Sequence, residues 1–78
     1  MYGTPWCGDC RRARRLLEER RINYSYIDIE QNDDARKYVV EVNRGNQSVP
    51  TIVFPDGSVL VEPSNSALEQ KIASLGLQ

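Results

Sequence analysis

Two cysteines, Cys7 and Cys10, are the only ones in the chain, and they stand in the run Tyr2-Gly3-Thr4-Pro5-Trp6-Cys7-Gly8-Asp9-Cys10. At the start of a helix, positions i and i+3 lie on one face at a separation a disulfide tolerates, so the pair can open and close without moving the backbone. The ring it closes is so short that little entropy leaves the unfolded chain. That argues against a structural clip and for reversible redox chemistry. The absence of a third cysteine and of histidine argues against half of a zinc site and favours redox use.

The elements that must position this pair can be read from periodicity. From Cys7 to about Arg21, Cys10, Ala13, Leu16 and Leu17 recur at helical spacing among Arg11, Arg12, Arg14, Arg15, Glu18 and Glu19, the pattern of an amphipathic helix. Pro5 lies just outside it and Cys7 falls near its N-cap. There the free backbone N–H groups and the positive end of the helix dipole stabilise a thiolate, which makes Cys7 the nucleophile. Cys10, one turn inside, is less exposed and suited to resolve a mixed disulfide on Cys7; the alternative is that a small thiol does the resolving. Asp9 either tunes Cys10 or is a solvated first-turn residue. Trp6 either meets the incoming substrate or covers the core. The arginine-rich face either attracts an acidic partner or the carboxylates of a thiol cofactor or, as the interleaved Glu18 and Glu19 favour, is a solvated one.

Ile22 to Ile29 is rich in β-branched and aromatic residues and reads as a strand. A second helix carries Ala35, Tyr38, Val39 and Val42, with Asn32, Asp33 or Asp34 as cap and Gly45 as its stop. Val49 to Phe54 is the most apolar strand candidate; Pro55-Asp56-Gly57 turns it back into Ser58 to Val61 as a hairpin. A last helix opens at Pro63-Ser64, with Ser66 and Glu69 as a competing capping box, and ends at Gly76. The first helix must then cross between two parallel strands. Only Met1 and Tyr2, with Gly3, are there to form the first of these, so that strand is expected to be a stub or truncated.

Seventy-eight residues, 40% hydrophobic and 27% charged with a net charge of −1, describe one soluble globular domain spanning 1–78. No bulk charge points to nucleic acid, no apolar run approaches membrane-spanning length, and no signal peptide precedes the motif. A CxxC in such a chain places it in a reducing compartment, the cytoplasm. A monomer is expected.

Taken together, these residues resemble the glutaredoxins of the thioredoxin fold, and within them the mycoredoxin type. The likeness rests on Trp6-Cys7-Gly8-x-Cys10, Asp28-Ile29-Glu30, Val42-Asn43-x-Gly45-Asn46-x-Ser48-Val49-Pro50-Thr51, Phe54-x-Asp56-Gly57-Ser58 and Pro63-Ser64, and spans nearly the whole chain. It implies an α/β fold with a small four-stranded mixed sheet and three helices. It implies a thiol-disulfide oxidoreductase that reduces protein disulfides, or mixed disulfides with a low-molecular-weight thiol, mycothiol or glutathione, as co-substrate. No tightly bound cofactor and no metal are implied. Thr4, Trp6, Gly8, Asp9, Ser48, Val49 and Pro50 become the thiol- and substrate-binding residues, with Val49-Pro50 a cis peptide facing the cysteines.

Departures from the family pattern bear on the choice of thiol. Asp9 stands where an aromatic residue usually precedes the second cysteine. Thr4 replaces a lysine typical of glutathione users, and Glu62-Pro63-Ser64-Asn65 replaces a Gly-Gly-x-x-Asp segment. All this weakens glutathione and is similar to the mycoredoxins, which use mycothiol. The alternatives are an electron donor coupled to glutathione or thioredoxin reductase, for example to ribonucleotide reductase, and an iron-sulfur cluster carrier using Cys7 and bound thiols.

Overall fold

The computed structural model describes residues 1–76 as β1 (Tyr2–Gly3), α1 (Gly8–Glu19), β2 (Ile27–Asp28), α2 (Asp33–Val42), β3 (Thr51–Val53), β4 (Val59–Val61) and α3 (Asn65–Leu75). The four strands form one mixed sheet in the order β2-β1-β3-β4. β1 runs parallel to β2, with Tyr2 opposite Ile27, and antiparallel to β3, with Tyr2 opposite Thr51; β3 and β4 are an antiparallel hairpin. This is the thioredoxin-like arrangement, with the expected short first strand.

Alternation along the strands sorts the side chains into two layers. Met1, Ile52 and Phe54 join Cys10, Ala13, Leu16 and Leu17 of α1 and Leu68 and Ile72 of α3 in the main core. A second cluster, Ile29 with Ala35 and Val39 of α2, takes Tyr2, Ile27 and Tyr38 against it. The Tyr2 and Tyr38 rings stack tilted, 5.1 Å apart. Helices therefore cover both faces, and α1, with Cys7 as its N-cap, follows the C-terminal end of β1 through a short loop.

Caps set the helix ends. Asn32 caps α2 by accepting the Ala35 N–H at 3.0 Å. Ser64 caps α3 by accepting the Ala67 N–H at 3.1 Å, so the Ser66–Glu69 box is not used. α2 ends with Arg44 and Gly45 in the left-handed region, and the Gly45 N–H returns to Val40 C=O at 2.8 Å.

Two expected strands are shorter than their sequence pattern. Ile22 to Ile29 pairs as β2 only over Ile27–Asp28, because β1 is too short to offer the earlier residues a partner. Val49 to Phe54 is strand only over Thr51–Val53: Pro50 has no N–H to donate, although its C=O still accepts from Glu62 at 2.8 Å. The arginine face of α1 also differs from a purely solvated one. Arg14 lies 4.0 Å over the Tyr26 ring and donates to the Tyr24 hydroxyl at 3.2 Å, while Arg20 pairs with Glu69 of α3 at 2.9 Å. Of the four arginines within α1, Arg11 and Arg15 are exposed and Arg12 and Arg14 are half-buried.

Candidate active site

Cys7 is the N-cap of α1, in extended conformation with φ −83° and ψ 115°. Its sulfur takes the place usually held by a capping oxygen and accepts the Cys10 N–H at 3.2 Å. The Cys7 N–H is itself held by Thr4 C=O at 3.3 Å, and Cys7 C=O accepts the Arg11 N–H at 3.2 Å. The backbone on both sides of the sulfur is thus fixed, while the side chain is half-buried and reaches solvent.

Cys10 has the opposite setting. It is 1% exposed and packed in the main core. Burial, then the hydrogen bond its S–H donates to Cys7, push its thiol from an ordinary 9.0 up to about 12; the charges of Cys7 and Asp9 add to this and the Thr4 backbone works against it. Both cysteines are free thiols. One helical turn therefore separates a reachable sulfur from one held neutral and covered.

Gly3 makes the close packing around Cys10 possible. A Cβ built there would lie 2.9 Å from Cys10 Sγ, closer than real side chains approach, and 3.1 Å from the Tyr26 ring, a tight contact. The sequence reading passed over Gly3 as a site residue. Its signal was a glycine inside a strand beside a reactive motif, which marks close approach of another group.

Across the helix terminus stands the loop before β3. The Val49–Pro50 peptide is cis, and the Val49 C=O lies 3.8 Å from Cys7 Sγ, within reach of a weak S–H hydrogen bond. Pro50 is buried and Val49 half-buried. The loop is braced from behind: Thr51, fully buried, donates its hydroxyl to Ser48 C=O at 2.7 Å, and Asn43, the C-cap of α2, donates to Thr51 Oγ1 at 3.2 Å. Ser48 is thus in the wall of the site through its backbone.

The remaining candidates lie beside Cys7 in the chain. Trp6 is 67% exposed and donates its indole N–H to Glu30 at 3.1 Å, so it does not cover the core. Gly8 opens α1 on the exposed side, and a Cβ there would meet nothing within 4 Å. Asp9 is exposed and paired at 3.4 Å with Arg12. Thr4 is 3% exposed, and its hydroxyl is a buried group without a partner among the described residues.

Arg12 was missed by sequence reasoning, which assigned it to a solvated face. Its guanidinium donates to Asn65 Oδ1 at 2.8 Å, Pro63 C=O at 3.2 Å and Asp9 Oδ1 at 3.4 Å, tying the first turn of α1 to the segment ahead of α3. Only a fold that brings residues 63–65 beside α1 makes that role visible.

Residues 1–60 match the family model described as Glutaredoxin. A Mycobacterium tuberculosis protein, provisionally named a glutaredoxin, is 43% identical over 75 residues, which cover 96% of this chain and 89% of that protein. Mycoredoxin 1 of Corynebacterium glutamicum is 35% identical over 75 residues, covering 96% of this chain and 92% of its own.

Proposed function

The chain belongs to the glutaredoxin family and is a thiol-disulfide oxidoreductase, and we propose that it reduces protein disulfides and mixed disulfides with a mycothiol-like small thiol as its electron source. The observation that carries the reading is the asymmetry of the two sulfurs: Cys7 reachable at a helix N-cap, Cys10 buried one turn below it.

The reaction is a pair of thiol-disulfide exchanges. The Cys7 thiolate attacks the small-thiol sulfur of a mixed disulfide, its S–S bond breaks, and the protein substrate leaves as a thiolate that takes up a proton. Cys7 is now joined to the small thiol. A second small thiol, as thiolate, attacks that bond and regenerates Cys7 while a small-molecule disulfide departs. On a protein disulfide, the Cys7 thiolate first attacks one substrate sulfur, the substrate S–S bond breaks, and the other sulfur leaves as a thiolate that takes up a proton; Cys10, after losing its own proton, then attacks the Cys7 sulfur of this mixed disulfide, expels the remaining substrate thiolate and leaves a Cys7–Cys10 disulfide, which two small thiols reduce. No metal or resident cofactor enters either route.

Thr4, Trp6, Gly8, Asp9, Ser48, Val49 and Pro50 line the approach. The Val49 backbone, next to a proline and beside Cys7, suits strand-like pairing with an extended substrate. The exposed Trp6 indole offers a flat apolar surface for the small thiol. Mycothiol is favoured over glutathione by Thr4 and by Glu62-Pro63-Ser64-Asn65, which lack the lysine and diglycine typical of glutathione users, and by likeness to mycoredoxin 1. The cytoplasm fits this thiol chemistry; among the described residues no helix is long and apolar enough to cross a membrane.

The test is turnover of the same oxidised protein with mycothiol, glutathione and thioredoxin reductase side by side. Mycothiol is expected to support the fastest turnover. Turnover with the reductase alone defeats the proposal.

A further inference from the structure

Glu62 adopts a left-handed backbone, φ 48°, in the short segment between β4 and α3. A residue with a side chain stays in that region only where its neighbours hold it. On one side the holder is the sheet: the Glu62 N–H donates to Pro50 C=O at 2.8 Å, one step beyond the last β3–β4 pair, Thr51 with Val61. On the other side it is α1, through Arg12.

Arg12 uses its two terminal nitrogens separately. Nη1 donates to Asn65 Oδ1 at 2.8 Å; Nη2 donates to Pro63 C=O at 3.2 Å and to Asp9 Oδ1 at 3.4 Å. Asp9, one turn earlier on the same helix face, steadies the guanidinium. Pro63 is buried and Arg12 half-buried, so the bonds lie partly out of water, where a charged donor on a neutral acceptor is strong. Among the described residues these are the only hydrogen bonds between α1 and residues 62–65.

A closed circuit results. Cys7 caps α1, Arg12 joins α1 to Pro63 and Asn65, and Glu62 joins that segment to Pro50. The cis Val49–Pro50 peptide then returns Val49 C=O to 3.8 Å from Cys7 Sγ. On its α2 side this loop is held by Thr51 and Asn43. On its α1 side the hold is the Glu62 bond, with Arg12 behind it.

We infer that Arg12 is a positioning residue for protein substrates: it pins residues 62–65 to α1 and so sets the gap between Cys7 and the Val49–Pro50 peptide to the width an extended chain needs. This role rests on the proposed pairing of a substrate backbone with Val49. A gap of the wrong width weakens that pairing without altering the Cys7 sulfur, because hydrogen bonds fall off steeply with distance and angle. A small disulfide that pairs with no backbone has no such requirement.

The experiment mixes the reduced chain with an excess of one of two probes, an extended cysteine peptide or mercaptoethanol, each carrying its sulfur in a mixed disulfide with thionitrobenzoate. The Cys7 thiolate attacks the peptide or mercaptoethanol sulfur, the S–S bond breaks, and thionitrobenzoate leaves with the electron pair as a coloured thiolate. Its first release gives a half-saturating concentration and a limiting rate with no small-thiol reductant present. Arg12→Gln is expected to raise half-saturation for the peptide about tenfold, the scale of one charge-assisted hydrogen bond, and to leave the limiting rate and the mercaptoethanol reaction within about twofold of the parent. Arg12→Lys should behave like Arg12→Gln, because one ammonium cannot replace the fork on Asn65 and Pro63. Asn65→Ala should raise half-saturation in the parent and add little to Arg12→Gln. The inference is overturned by unchanged peptide half-saturation in Arg12→Gln, by a lysine variant equal to the parent, by equal losses on both probes, or by fully additive effects of Arg12→Gln and Asn65→Ala. A peptide methylated on the amide beside its cysteine separates the two readings and should saturate the parent more weakly. If the parent treats both peptides alike, Val49 pairing fails and the role of Arg12 with it; if it prefers the unmethylated peptide while Arg12→Gln changes nothing, only the role of Arg12 falls.

Discussion

The rim and the floor of the CxxC turn are built from neighbouring residues and have opposite physical character. The rim, Trp6, Cys7, Gly8 and Asp9, is exposed or half-exposed, and nothing crowds Gly8. The floor, Gly3, Thr4, Cys10 and Pro50, is buried, and it is packed so closely that Gly3 has no room for a Cβ. The difference shows how a symmetric motif becomes an ordered pair of reagents. A helix rotates about 100° per residue, so three positions carry Cys10 from the cap into the core, where the cost of burying a charge holds it protonated.

The sharpest way to break this comparison is to remove the rim sulfur. Cys7→Ser is expected to lower turnover on every substrate to the uncatalysed background, measured with a small mixed disulfide; appreciable residual turnover would mean that Cys10 can attack directly.

Removing the floor sulfur should divide the activities. Cys10→Ser is expected to keep reduction of small mixed disulfides within a few-fold and to lose reduction of protein disulfides. Loss of both would place Cys10 in the first chemical step.

Filling the floor tests the packing itself. Gly3→Ala should destabilise by about 1–3 kcal/mol, the usual cost of overpacking, and denaturant unfolding checks it. An unchanged midpoint would show that Cys10 and Tyr26 can move aside freely.

The raised pKa of Cys10 also carries a stability signature. The folded state keeps a proton that the unfolded state releases above about 9, so this contribution is fully present below pH 9 and is lost as pH rises towards 12. Unfolding curves between pH 8 and 11 should fall more steeply for the parent chain than for Cys10→Ser, and parallel curves would contradict the buried thiol.

The smallest effect links rim to floor. Asp9 is exposed and contributes last among the causes of the Cys10 shift. Asp9→Asn should lower the alkaline limb of the Cys10 titration slightly, followed by thiolate absorbance. No change would leave Asp9 as a partner of Arg12 only.

Much of the fold was legible because its signals are local. Helical spacing of Ala13, Leu16 and Leu17 located α1, and the Pro55-Asp56-Gly57 turn located the β3–β4 hairpin. Strand lengths were not legible, since pairing depends on a neighbour: Ile22 to Tyr26 has strand composition, but β1 does not extend beside it. The site divides in the same way. Cys7, Cys10 and the Val49-Pro50 pair could be named from motif and resemblance, whereas Gly3 and Arg12 act through contacts with residues distant in the chain or on another element.

By itself the sequence pointed to redox chemistry: a lone CxxC at a helix start, with neither histidine nor a third cysteine, argues for sulfur exchange and against a zinc site, because spacing and residue type are properties of the chain alone. Tertiary structure decided the ordering and reach of that chemistry. Which sulfur is buried and what stands 3.8 Å from the other both depend on how distant segments pack, and burial and hydrogen-bond pairing exist only once they have.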